Sequence, residues 1–426
     1  MKLNLILFLT LIFTVSCENP TGPDKASKEI PIARNQTTIP WPSLADTPWP
    51  MGKHDPQLTG RSPYVGPANG TVKWSFLDSA VWFDTGIILG YNNTLFYTSG
   101  EGGPQGSGFA TCLNTTTGTM SWKFETNPLW NTITPLMLSD GTIIFGVNRN
   151  YSDRPPKVFA LNQNGEQQWE YEIDSDMGIV AFIVDLTGNI YFTTRDPAVL
   201  YSLRSDGSLR FKEPLSGGKS NNGIAFSPDG NTLYLAEEKA LLAYSTDGSM
   251  IWSFSVGNKT ISSPPLVDNQ GNIYFAAFDS NSGMATVYSL SSENEQRWHY
   301  QLEFGPQHGI KDLTMDANGY LYFNNLRNKV YSLFYNGELR LEKELDLSKY
   351  PYVDSGVICD ADGNLYMGVS WSDYISLNSN LELRWSIPWS EFSPYAWVFW
   401  NNPSALGDGI LYGTTVKTPG IIFAIE

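Results

Sequence analysis

Histidine and cysteine are nearly absent from this chain: 426 residues carry three of each. There is no C-x-x-C, so a zinc cluster is excluded by ligand supply alone. Cys112 and Cys359 lie far apart in the sequence, and no disulfide between them is expected. G-x-S-x-G, H-E-x-x-H and P-loop patterns are missing, which removes the common hydrolase, metalloprotease and nucleotide-binding readings. Positive charge is also scarce. Lys and Arg total 27 against 43 Asp and Glu, a formal charge of −16. Such a surface repels phosphates, so nucleic acid is not an expected partner. No metal or cofactor is expected on these grounds.

Long apolar runs are confined to the extreme N-terminus. Lys2 precedes an apolar stretch from Leu3 to Val15 that is too short to span a bilayer. It ends Phe13-Thr14-Val15-Ser16-Cys17, which resembles the bacterial lipoprotein signal, with cleavage before Cys17 and lipid attached to its sulfur. Residues 1–16 are therefore read as signal peptide and Cys17 as the lipidation site. Glu18 is not the Asp that often retains lipoproteins at the inner membrane, which favours the outer membrane. Residues 17–48 are rich in Pro, Ser and Thr and read as a flexible tether. Residues 49–426 read as one folded domain.

What the chain has in abundance is punctuation and aromatics: 38 glycines and 14% Phe, Trp and Tyr. They recur in phrase. One copy reads Asn269-Gln270-Gly271-Asn272-Ile273-Tyr274-Phe275, then Val287-Tyr288-Ser289-Leu290, then Trp298. Positions taken as edge strands are Trp74, Trp122, Trp169, Arg210, Trp252, Trp298, Arg340 and Trp385, spaced by 41 to 48 residues. That is the length of a four-stranded propeller blade. Tight turns such as Asn92-Asn93 and Asp362-Gly363 recur in step. Eight copies predict an all-β, eight-bladed propeller of four-stranded antiparallel blades. The chain ends on a third strand, and Val72-Lys73-Trp74-Ser75-Phe76 has no blade of its own. The N-terminal strand is therefore expected to complete the last blade and close the ring.

The phrase resembles the pyrroloquinoline-quinone-like propeller repeat, and Trp49-Pro50-Met51-Gly52-Lys53-His54 resembles the lead-in to the first blade of secreted members. The resemblance implies that Trp74, Trp122, Trp169, Trp252, Trp298 and Trp385 dock between blades, with Arg210 and Arg340 holding two interfaces differently, by the Arg stem and a carboxylate. It does not imply a quinone cofactor, because the adjacent cysteine pair and C-x-x-C-H of quinone dehydrogenases are missing. Lipid anchor and blade number are also similar to the BamB-type lipoproteins of outer-membrane protein assembly.

Function in such a fold is expected on the loops crossing from one blade's outer strand to the next blade's inner strand. The candidates are Trp82 and Asp84 in the first such segment, Trp130 and Asn131 in the second, and Asn221 and Asn222 further on. His308, Lys311 and Asp312 follow, then Tyr350, Tyr352 and Asp354, and finally Tyr395, Trp397 and Trp400. No residue is assigned as catalytic. The set reads as a non-enzymatic surface for a protein or glycan partner. The alternative is a polysaccharide lyase, with His308 or Tyr352 as base and Lys311 holding a uronate carboxylate. Deletion of residues 70–78 is predicted to be far more damaging than deletion of 20–45, as read by circular dichroism and gel filtration.

Overall fold

The computed structural model describes residues 30–78, 85–100, 106–126, 130–131, 133–148, 155–174, 178–216, 220–303, 309–346, 353, 355–369, 372–392, 404–415 and 420–426. Among them eight antiparallel sheets form eight blades, each in the order inner to outer. Blade 1 consists of Ile88–Gly90, Thr94–Gly100, Gly108–Asn114 and Met120–Glu125. Blades 2 to 7 follow in chain order. Blade 8 takes Ala405–Leu406, Leu411–Thr414 and Gly420–Ile425 from the C-terminus and Val72–Asp78 from the N-terminus.

Closure has the register expected of a sheet completed by both chain ends. Val72 faces Ile425, Trp74 faces Ala424 and Ser75 faces Phe423. Lys73 Nζ reaches Glu426 at 2.8 Å. The far end of the closing strand is tied to blade 1, where the Tyr97 hydroxyl donates to Asp78 at 3.0 Å and Lys123 approaches the same carboxylate at 3.2 Å.

The second and third strands of each blade are buried almost throughout, whereas the outer strands alternate. The inner strands end in tight turns. Asn92 and Asn93 adopt φ of 56° and 58°, the left-handed values a two-residue hairpin turn requires. In blades 3, 5, 6 and 7 an Asp organises the turn. Asp185 accepts from Thr187 N and Asn189 N, each at 2.9 Å, and from the Tyr191 hydroxyl at 3.1 Å. Asp268 with Tyr274, Asp316 with Tyr322 and Asp360 with Tyr366 repeat the hydroxyl contact. The phenol of the second strand thus anchors the turn that precedes it.

Neighbouring blades meet at the outer-strand indoles. Trp74 N–H donates to Thr115 O of blade 1 at 2.9 Å, Trp122 to Gln163 O and Trp169 to Ser205 O. Trp252, Trp298 and Trp385 donate to Ser292 O, Tyr335 O and Pro67 O. Each ring lies over the outer turn of the next blade. At Gly118, φ +70°, a Cβ would stand 2.7 Å from the Trp74 ring, so both conformation and contact exclude a side chain.

Two assignments require correction. Arg210 and Arg340 do not occupy the Trp position. Ser202 faces Phe211, as Ser289 faces Trp298 and Ser376 faces Trp385, and it is Phe211 that covers Gly248. In blade 6 the equivalent is Leu341, opposite Ser332 and packed in the core that contains Leu381. Arg210 instead donates to the Tyr191 hydroxyl at 2.7 Å and Ser202 Oγ at 2.8 Å, as Arg297 and Arg384 do in their blades. Arg340 donates to Ser379 O at 2.6 Å and covers the Tyr320 ring. Hydroxyls, carbonyls and a side-chain amide, not the expected carboxylate, hold these guanidiniums among the described residues.

The second correction concerns the tether. From residue 30 the chain is docked, not free. Ile32 O accepts from Tyr335 N at 2.9 Å, and Arg34 N and Gln36 N donate to Asn318 O and Ala317 O at 2.8 Å. The indole of Trp41 donates to Val184 O at 2.8 Å. Apolar residues spaced among the prolines, Ile39, Trp41 and Leu44, join the main core and supply the burial that composition alone concealed. Residues 49–65 then run around the inside of the ring. Their carbonyls accept in turn from Leu89 N, Met137 N, Phe226 N, Val267 N, Met315 N, Cys359 N and Gly409 N at 2.8–3.0 Å. With Trp41 on blade 3, this lead-in touches every blade.

At the axis Lys53, itself buried, extends Nζ to Asp312 at 2.8 Å, Leu313 O at 3.0 Å and Thr314 Oγ1 at 3.1 Å. Burial pushes the Asp312 carboxyl up, against the Lys53 charge and hydrogen bond that draw it down. The pair locks the lead-in to blade 6.

Three measurements follow from this packing. Phe211→Ala should destabilise by about 3 kcal/mol and Arg210→Ala by about 1 kcal/mol in denaturant titrations, the reverse of what an Arg in the docking position would give. Lys53→Met should cost about 3 kcal/mol by stranding the Asp312 carboxylate, and Lys53→Met with Asp312→Leu should recover most of it. Truncation before residue 30 should leave the melting temperature unchanged, whereas truncation to residue 45 should lower it by removing Trp41 and Leu44 from the core.

Candidate functional site

Each inner strand runs from a crossover connection to a tight turn, so the ring has two unlike faces. On the turn face, connections such as Val184 to Ile190 and Cys359 to Leu365 are short and closed by the Asp turns. On the crossover face the connections are longer and unequal, reaching their greatest length from Glu344 to Ile358 and from Pro388 to Ala405. The lead-in lies along the turn-side ends of the inner strands and floors the central funnel, which is thereby closed on that side.

Few of the expected site residues fall where their placement can be described. Trp130 and Asn131 form a short strand pairing with Asn148 and Val147, and Asn221 and Asn222 lie on Ser220–Phe226, whose start faces Glu237. All four stand at the crossover end of their blades. Lys311 is exposed there, while Asp312 points inward to Lys53. Trp82, Asp84, His308, Tyr350, Tyr352, Asp354, Tyr395, Trp397 and Trp400 lie outside the described residues, as does Cys17. Asp312 is therefore committed to the floor of the funnel, with its carboxylate already neutralised by a lysine of the same chain.

The two other histidines are placed. His299 is exposed on the outer strand of blade 5, beside Tyr288. His54 is 6% exposed and packs edge-on against Trp49 at 5.2 Å, with Nδ1 3.4 Å from Asp55 Oδ2. Asp55 accepts from Thr59 N at 2.9 Å and from Thr59 Oγ1. Burial alone would raise the Asp55 carboxyl, but the His54 and Thr59 hydrogen bonds hold it below its ordinary value. Cys112 and Cys359 are free, buried thiols, with Cys359 pushed well up by burial, and neither has thiolate character. Among the described residues no group of His, Cys, Asp and Glu is arranged to hold a metal ion.

The residues missed by sequence reasoning were Lys53, Arg61 and the docking pair Phe211 and Leu341. Arg61 is buried and donates to Asp316 O at 3.1 Å. The signal for the docking pair was present, since Phe211 follows Gly207, and Leu341 follows Gly337, at the distance that separates Gly118 from Trp122.

Solved structures of similar shape include proteins of three kinds. BamB from Moraxella catarrhalis aligns over 84% of this chain and 99% of its own at 14% identity, with a TM-score of 0.62. Quinohemoprotein alcohol dehydrogenase from Comamonas testosteroni aligns over 90% and 81% at 10% identity, with a TM-score of 0.68. A catalytically inactive virginiamycin B lyase from Staphylococcus aureus with quinupristin aligns over 83% and 99% at 12% identity, with a TM-score of 0.52. At these identities the likenesses establish the fold and leave activity open. No curated protein matches the chain. The sequence pattern of one family, however, matches residues 64–226 and 204–351, across well over half of the chain and through six of its blades and the closing strand of the eighth. By that match, the chain belongs to the family described as outer membrane protein assembly factor BamB.

Proposed function

We propose that this protein is a non-enzymatic, lipid-anchored propeller of the bacterial cell envelope that binds a protein or glycan partner through its crossover-loop face. The observation that carries the reading is the inequality of the two faces. The turn face is spent on closed hairpins and on the lead-in, while the crossover connections are long, unequal and sealed from below. A floored funnel opens to a ligand on one side only, which suits docking better than passage. The aromatic residues of the longest connection, Tyr395, Trp397 and Trp400, would supply low-entropy contact area of the kind that dominates binding surfaces.

The anchor supports the same orientation. Ile30 packs on the core of blades 5 and 6, and Ile32 is bonded to Tyr335, near the outer turn of blade 6. A lipid on Cys17 would therefore hold the turn face toward the membrane and direct the crossover face away from it. Membership of a family described by outer-membrane protein assembly favours a protein over a glycan as partner. The lyase alternative gains nothing from the geometry: of its three residues Lys311 is exposed and His308 and Tyr352 lie outside the described residues.

Affinity purification of the lipidated protein from its own envelope tests the proposal. Recovery of β-barrel assembly components, reduced by Trp397→Ala with Trp400→Ala but unchanged by Ile251→Ser on the opposite rim, is expected. An ultraviolet-absorbing unsaturated uronate released from polysaccharide, and abolished by His308→Ala, would overturn the non-enzymatic reading.

A further inference from the structure

The lead-in does not fill the turn face completely. Where its limbs separate they border a half-open cavity of about 430 Å³, lined almost wholly by residues 38–64, with Tyr91 and Ser139 from the turns of blades 1 and 2. Five of the lining residues are prolines, so much of the wall has a fixed backbone. The polar groups around it are mostly spent. The Trp41 N–H is given to Val184 O, leaving its ring to the cavity, and the Tyr91 hydroxyl donates to Ser139 O and accepts from Asp46 N, both at 3.2 Å.

His54 is the exception. The residue is more than nine-tenths buried, lines the cavity, and sits in the left-handed region at φ 77°, a conformation that a bulky residue adopts only where its surroundings impose it. Nδ1 faces Asp55, while Nε2 has no partner among the described residues. Asp55, fixed by Thr59, holds the ring in place. The cavity wall thus offers an unpartnered ring nitrogen, three aromatic rings in Trp41, Tyr64 and Tyr91, and two carboxylates in Asp46 and Asp55. No lysine or arginine lines it.

An anion would meet two carboxylates and no lysine or arginine here. A neutral apolar molecule would leave Nε2 unpaired, which costs the desolvation of that atom. A cation satisfies the field of the carboxylates and the ring faces together. We infer that this cavity is a second binding site, on the face opposite the crossover loops, for an organic cation: an ammonium or guanidinium group on a short apolar body, supplied by a basic side chain of a partner or by a free amine. The inference stands apart from the partner-binding proposal, because it uses none of the crossover residues.

Three histidines make the site readable by NMR of the full-length protein, labelled with ¹⁵N at histidine and held in detergent micelles. Benzylamine, the amide of N-acetyl-phenylalanyl-arginine and benzyl alcohol are the probes. The expected result is a saturable shift of a single histidine signal, the one missing in His54→Gln, on adding either cation. Benzyl alcohol should bind at least about tenfold more weakly, and Asp46→Asn, a substitution at an exposed site, should weaken the cations about tenfold. A response to the arginine peptide but not to benzylamine assigns the site to a partner's side chain, and the converse assigns it to free amines. Equal binding of benzyl alcohol and benzylamine, or no movement of the His54 signal by either cation, overturns the inference. Should His54→Gln fail to fold, the wild-type titrations with the charged and neutral probes decide the matter alone.

Discussion

A ring of β-blades exposes an unpaired strand edge at every blade and an open seam where the first blade meets the last. Outer edges are tolerated because their residues alternate and face water, but the seam is different. There the inner faces of two blades would be wet. Pairing Val72–Asp78 with Gly420–Ile425 removes that seam with backbone hydrogen bonds contributed by the two ends of the chain. Everything else in the molecule presupposes it. The Trp74 indole reaches Thr115 of blade 1 only because its strand is held against blade 8, and Asp78 at the end of the same strand is the acceptor for Tyr97 and Lys123. A modular chain becomes a single cooperative unit at this strand, since the stability of each interface then depends on all the others.

The lead-in performs the equivalent service on the axis. Inner strands of two or three residues cannot be stable by themselves, and their final N–H groups point into the channel. Carbonyls from Trp49 to Gly60 accept from Leu89 N, Met137 N, Val267 N, Met315 N and Cys359 N of five such strands and from Phe226 N of the longer strand of blade 4, and Val65 O accepts from Gly409 N in the turn of blade 8. The segment therefore behaves as an internal strand shared by the whole ring, and Lys53 pins it by a buried charge pair. One consequence is chemical. Polar groups that a propeller of this kind could direct at a ligand in its channel, such as Asp312 and the carbonyl of Leu313, are already satisfied from within.

Periodicity made the architecture legible. The strand-and-turn phrase recurs eight times, with an outer Trp in six of the copies, and any single misreading is outvoted by the rest. The blade boundaries and the closing strand were readable for this reason. Where the repeat falters, so does inference from sequence. Arg210 and Arg340 were taken for docking residues because a long side chain near the right place can imitate one, although Gly207 and Gly337 marked Phe211 and Leu341. The lead-in misled for a different reason. Residues 30–48 are poor in apolar surface taken as an average, but Ile30, Ile39, Trp41 and Leu44 are each placed against a blade, and composition does not register placement. Residues of the candidate face were chosen by their position between strands, which fixes the end of the barrel where they lie and nothing about their mutual distance.

The two faces also divide the evolutionary freedom of the chain. A turn-face substitution at Asp268 would disturb Gln270 N, Asn272 N and the hydroxyls of Tyr274 and Tyr335 together, so one change breaks several bonds. A crossover residue such as Lys311 is exposed and has no such dependants among the described residues. Specificity can therefore change on the crossover face at little cost in stability, while the turn face keeps whatever the fold has built into it. The His54 cavity belongs to the second category. Its walls are the same residues that close the channel, and its polar group is set by Asp55 and Thr59 within the lead-in itself. Any ligand that fits it would bind to the element that touches all eight blades, and its binding energy would add to the stability of the closed ring.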